Sequence, residues 1–99
     1  DLVILAIPVN AMTALLPTVL DVVKKTAVVI DAGSTKSHIC KAASHHAQRL
    51  QYVAAHPIAG TENSGPAAAF SGLFQGKTNI VCDRDHTSEE ALALALKVF

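Results

Sequence analysis

The sequence predicts an α/β domain built on a doubly wound, mostly parallel sheet, and three observations carry that expectation. Short β-rich runs, Leu2–Ile7, Val28–Asp31 and Tyr52–Ala55, end at residues 7, 31 and 55, a constant step of 24. A strand, a helix of about ten to fifteen residues and two short loops fill such a step, which is the length of a βαβ unit. The composition is 51% hydrophobic and only 4% aromatic, rich in Ala, Val, Leu and Ile, which suits strands covered on both faces. Between the runs, apolar residues recur at helical spacing rather than in alternation. Parallel strands joined by right-handed crossovers follow.

The first connection has Asn10 as its expected N-cap. Met12, Leu15, Leu16, Val19, Leu20 and Val23 then form one apolar face. Pro17 lacks an amide donor and disfavours helical geometry at Leu16, so the segment is expected to be kinked or split into two short helices. The second connection, from Lys36 to about Gln48, places Ile39, Ala43, Ala47 and Leu50 inward, with His45, His46 and Arg49 mostly outward. After Ala55 the chain changes to a Gly/Pro/Ser-rich stretch, His56 to Gly65, of the kind that carries function. Pro66 to Phe70 reads as a helical turn and Leu73–Phe74 as a packed anchor before a fourth strand, Asn79–Cys82. Thr87-Ser-Glu-Glu90 fits a capping box opening a last helix, whose inward face would hold Leu92, Ala95, Leu96 and Phe99.

Charge and cysteine usage narrow the function classes. Eight basic residues balance eight acidic ones, so the chain lacks the positive field that a nucleic-acid partner demands. No apolar stretch approaches the roughly 20 residues that span a bilayer, and no signal-peptide pattern is present, so no membrane partner is expected. Cys40 and Cys82 stand alone, without a C-x-x-C or Cys/His cluster, and read as reduced packing residues of a cytoplasmic protein. The chain starts without Met in one apolar run and stops at Phe99 in another. It therefore reads as an internal piece of a longer domain.

Ligands of doubly wound sheets bind beyond the carboxyl ends of the strands. Three unusual segments fall there: Ala6-Ile7-Pro8-Val9, Asp31-Ala-Gly33-Ser34-Thr-Lys36 and His56-Pro-Ile-Ala-Gly60. In the first, small or rigid groups either let a flat ligand approach the backbone or simply end the strand. In the second, Gly33 permits a tight turn, and Ser34 or Thr35 either caps the next helix or, with Lys36, attracts an anion. Lys36 is otherwise a solvated helix residue. His56, followed by a rigid proline, is either structural or a base able to accept a hydroxyl proton near neutral pH. Glu62 is either solvated or gates a pocket mouth. His38, His45, His46 and His86 show no metal-ligand spacing, so no metal is expected.

These segments together resemble the prephenate/arogenate dehydrogenase family over essentially all 99 residues. The Gly-Ser-x-Lys element is short. His56-Pro-Ile-Ala-Gly60-Thr-Glu62-Asn-Ser64-Gly65 at its distance downstream is the specific part. The resemblance implies NAD- or NADP-dependent oxidative decarboxylation of prephenate to 4-hydroxyphenylpyruvate, or of arogenate to tyrosine. It implies that His56 is the catalytic base at the ring hydroxyl and that Ser34 helps to hold that hydroxyl and the histidine. It implies a gating role for Glu62, and it places Ala6, Ile7, Pro8, Val9, Asp31 and Gly33 near the nicotinamide half of the cofactor. No Gly-x-Gly-x-x-Gly occurs, so the expected fold is a partial Rossmann-like sheet lacking the N-terminal Gly-rich βαβ unit, residues 1–99 forming the C-terminal portion of the dinucleotide-binding domain. A helical dimerisation domain following Phe99, and hence a homodimer, is implied as well. The alternatives are another Rossmann-type hydroxyacid dehydrogenase, which leaves His56-Pro-Ile-Ala-Gly60 unexplained, and a non-catalytic binding remnant.

Overall fold

A computed structural model describes residues 1–63 and 65–98. Four strands form one sheet in chain order: β1 (Leu2–Leu5), β2 (Val28–Asp31), β3 (Tyr52–Pro57) and β4 (Asn79–Cys82). The pairs β1–β2 and β2–β3 are parallel, and β4 returns antiparallel along β3 with His56 opposite Ile80. The α/β, mostly parallel expectation therefore holds. The antiparallel β4 fits its connection, since the segment from Ile58 to Thr78 holds no α-helix among its described residues to carry a parallel crossover.

Helices cover both faces. Helices α1 (Val9–Val22) and α2 (Ser37–Ala43) pack on one face and on each other, and α3 (Glu89–Ala95) packs on the other. Side-chain alternation sorts the strands accordingly. Leu5, Val29, Tyr52 and Ala54 meet Met12, Leu16, Leu20, Ile39 and Ala43 in one cluster. Val28, Ile30, Val53 and Ala55 meet Ala91 and Ala95 in the second.

Several expected boundaries move, each for a local reason. Strand β1 ends at Leu5 and not at Ile7, because Pro8 caps α1 and its carbonyl accepts from Met12 N at 3.0 Å. Asn10 accordingly lies inside the first turn and is not the cap. Pro17 does not split the segment; α1 runs through it from Val9 to Val22. The second helix stops at Ala43, well short of Gln48. There the Ser44 hydroxyl donates to the Lys41 carbonyl, and Gln48 N donates to the His46 ring, so side chains take over the backbone partners a helix would use. A 3-10 turn at Arg49–Gln51 then reverses the expected facing: Arg49 is buried at 6% exposure, while Leu50 is 56% exposed and Ala47 is also outside.

Strand β3 extends two residues past Ala55, through His56 and Pro57. Leu73 is half-buried, but Phe74, expected as an anchor, is exposed. The α3 cap is Ser88 and not Thr87. Ser88 Oγ accepts from Ala91 N at 3.2 Å, so the reciprocal arm of a capping box has no Glu in the right place. Leu92 and Ala95 are buried as expected, Leu96 is exposed, and Phe99 lies outside the described residues.

Candidate active site

The carboxyl ends of β1, β2 and β3 open onto two adjoining clefts. One, of about 520 Å³, is lined by Ala32 and Ser34 after β2, by His56 and Pro57 of β3, by Ile58, Ala59 and Gly60, and by Leu73 and Phe74. The other, of about 410 Å³, is lined by Ala6 beyond β1, Ala59, Gly60, Thr61, Asn63, Gly65, Ala68, Ala69 and Leu73. Ala59, Gly60 and Leu73 are common to both, so the two clefts share a wall.

Period-two alternation puts His56, like Tyr52 and Ala54, on the α1/α2 face of β3. Ser34 lies in the loop that leads from β2 into α2, and the two residues line the same cleft. Pairing with β4 fixes the strand at His56, and Ile58 N donates to Thr78 O at 2.8 Å just beyond it. Ser34 is exposed and His56 half-buried, so a hydroxyl and an imidazole face a common space whose remaining walls are largely apolar.

The other expected site residues divide. Ala6 lines the second cleft, Ile7 faces a separate groove along α1, Pro8 caps that helix, and Val9 begins it while packing on the core. Asp31 is wholly buried, and its side chain is spent within the protein. Its Oδ2 accepts from Gly33 N at 3.1 Å and from the Lys36 ammonium, and its Oδ1 accepts from Tyr52 Oη at 2.9 Å. Lys36 is therefore a buried ion-pair partner, not a solvated helix residue, and it stands as N-cap of α2 with no side-chain cap bond from Ser34 or Thr35. Glu62 is exposed in the loop and is not itself among the lining residues of either cleft, while its neighbours Thr61 and Asn63 line the second. Ser64, part of the same motif, lies outside the described residues.

Tyr52 and Arg49 make buried contacts that sequence reasoning missed. Burial, reinforced by the Asp31 charge and the hydrogen bond to it, pushes the Tyr52 phenol far above its ordinary range, so it stays a neutral donor. Arg49 lies 4.9 Å from the Tyr52 ring centre and donates to Tyr52 O. The chain's single Tyr opening a strand, three residues after Arg49, was the available signal. Burial is likewise the main cause that raises the Cys40 thiol, with the Asp83 charge adding to it, so this cysteine is not primed as a thiolate nucleophile. Among the described residues, no group of three or more His, Cys, Asp and Glu side chains could hold a metal ion, and no helix is long and apolar enough to cross a membrane.

Comparison with known proteins agrees with this geometry. A family model described as the nucleotide-binding domain of prephenate dehydrogenase matches residues 1–99. The chain is 38% identical over 93 residues to a cyclohexadienyl dehydrogenase of Zymomonas mobilis, covering 94% of this chain and 32% of that protein. It is 32% identical over 95 residues to a prephenate dehydrogenase of Lactococcus lactis, covering 93% and 27%. Its fold superimposes with a TM-score of 0.85 and 29% identity on prephenate dehydrogenase from Aquifex aeolicus in complex with hydroxyphenyl propionate and NAD+, over 99% of this chain and 34% of that one. The chain thus spans about a third of the length of these relatives. With a matching family model along its whole length and both motif segments converging on one rim, the chain belongs to the prephenate dehydrogenase family, within the region described as its nucleotide-binding domain.

Proposed function

We propose that the protein containing this chain is a prephenate or arogenate dehydrogenase, oxidising and decarboxylating its substrate with NAD or NADP, and that residues 1–99 supply the C-terminal portion of its dinucleotide-binding domain. The observation that carries this reading is the single cleft lined by both Ser34 and His56 at the carboxyl edge of a parallel sheet. The cofactor fits the neighbouring cleft, where Ala6, Ala59, Gly60, Ala68 and Ala69 leave room for a flat ring close to the backbone. Bound there, a nicotinamide supplies the hydride acceptor.

The chain's own residues manage position and one proton. Ser34 holds the ring hydroxyl, and His56 accepts its proton as the hydroxyl carbon is oxidised. The proton returns to the phenolate oxygen once loss of CO2 has completed the aromatic ring, so His56 ends as it began. Aromatisation provides the driving force, and the protein contributes orientation and a matched base, each worth several powers of ten. Glu62 belongs to this reading as a gate at the mouth of the pocket, and Asp31 and Gly33 as support beneath the cofactor's nicotinamide half. Homodimerisation and a cytoplasmic location accompany the family reading; Cys40 and Cys82 as free thiols suit a reducing compartment.

The test is His56→Asn in the intact enzyme, assayed with prephenate and arogenate, each with NAD and NADP. The expected outcome is a loss of about 10²- to 10⁴-fold in kcat on whichever combination the parent uses, with cofactor affinity unchanged. Turnover close to the parent's would overturn the assignment of the base.

A further inference from the structure

The loop that carries Ser34 is closed on itself by a buried charge. Gly33 N and Lys36 Nζ both donate to Asp31 Oδ2, so the chain leaves this oxygen just before Ser34 and comes back to it just after Thr35. Ser34 and Thr35 themselves stay exposed on the rim. The second carboxylate oxygen accepts from Tyr52 Oη, and Tyr52 opens the strand that bears His56, on the same face. One carboxylate thus ties the loop of Ser34 to the strand of His56.

A pair this deeply buried, with side chains 10% exposed for Lys36 and 0% for Asp31, is poor value as a stabiliser, because desolvation offsets the attraction. What it does supply is geometry. Three donors on one carboxylate restrain the loop, and a reacting group on that loop inherits the restraint.

We infer that Asp31, Lys36 and Tyr52 are positioning residues for Ser34: their side chains hold its hydroxyl in register with the His56 imidazole and act on the substrate hydroxyl through it. This rests on the reading of Ser34 and His56 as the pair that handles the substrate hydroxyl, and the experiment separates the two ideas.

The experiment is a pair of double-mutant cycles in the intact enzyme, with kcat and cofactor KM as readouts and the thermal midpoint as a check of folding. Tyr52→Phe keeps the ring and the ion pair and removes one donor. The joint change Asp31→Asn with Lys36→Met removes both charges together, so no unpaired ion is left buried. Each is made alone and with Ser34→Ala. Tyr52→Phe alone is expected to lower kcat about tenfold at unchanged cofactor KM, and the joint change to lower it further. In the Ser34→Ala background each should alter kcat less than about twofold, because the hydroxyl being positioned is gone. Equal losses in both backgrounds would overturn the inference while leaving Ser34 in place as a site residue, and so would a Tyr52→Phe enzyme with parental kcat. Parental turnover in Ser34→Ala alone would overturn the reading of Ser34, and the positioning role with it.

Discussion

Gly33 shows how tightly the site is built at the scale of one residue. Its φ is not positive, so the need for glycine is not conformational. A Cβ there would stand 3.1 Å from Asp31 Oδ2, 3.2 Å from Ile39 Cδ1 and 3.3 Å from Met12 Sδ. The two apolar neighbours are ends of flexible side chains and can give way, but the carboxylate oxygen is held by Lys36 and by Gly33's own amide. Gly33→Ala should therefore cost about 1–3 kcal/mol of stability, as overpacking does, and should lower kcat by displacing Ser34. Denaturant unfolding measures the first effect; a change below about 0.5 kcal/mol would show that the carboxylate yields. The presence of glycine, serine and histidine on the rim was legible from chain order, since each follows a β-rich run. The partners of Asp31 were not, because Lys36 lies across a loop and Tyr52 lies 21 residues away on a neighbouring strand, and neither spacing is a helical or strand period.

At the scale of an element, helix ends separate what periodicity shows from what it hides. The apolar period placed Met12, Leu16, Leu20, Ile39, Ala43, Leu92 and Ala95 on buried faces, and all are buried, whereas Leu15, expected on the packed face of α1, is exposed. Where a helix starts or stops depends on a single hydrogen bond, and two adjacent hydroxyls compete for that role at α3. Ser88 takes it by accepting from Ala91 N, while the Thr87 hydroxyl donates to Tyr52 O at 2.9 Å. Ser88→Ala should cost about 1 kcal/mol through the lost cap, and Ser88→Gly only a few tenths. Equal losses for the two substitutions, measured by thermal unfolding, would mean that the cap is not what Ser88 contributes. The same competition hid the end of α2: Ser44 and His46 divert backbone partners locally, and the outward Arg49 expected from the period turns inward once the helix has ended.

Across the whole molecule, one cluster joins the start of β3 to the segment after β4 and so keeps the antiparallel edge strand beside the strand that bears His56. Buried Arg49 donates to Tyr52 O and His86 O and pairs with Asp83 Oδ2 at 2.6 Å, and the His86 ring lies 2.8 Å from Asp83 Oδ1. Ser88 N donates to Leu50 O, closing the same junction from the α3 side. Partial burial works against the Asp83 charge, but hydrogen bonds from Arg49 and His86 and their charges outweigh it and hold the carboxyl below its ordinary value. A carboxyl lowered on folding adds stability that is fully present above the unfolded value, near 3.8, and is lost as pH falls through the lowered folded value. Asp83→Asn isolates this contribution, because asparagine tolerates the left-handed backbone at this position, φ 52°, and keeps an oxygen for Arg49. The intact protein should lose about 1 kcal/mol at pH 7, in keeping with a charged hydrogen bond reduced to a neutral one. The difference from the parent should shrink as pH falls below about 4 and vanish once Asp83 is protonated in both states. Unfolding free energies measured from pH 7 to pH 3 decide it: a gap of constant size across that range would assign the clamp to the shape of the side chain rather than to its charge.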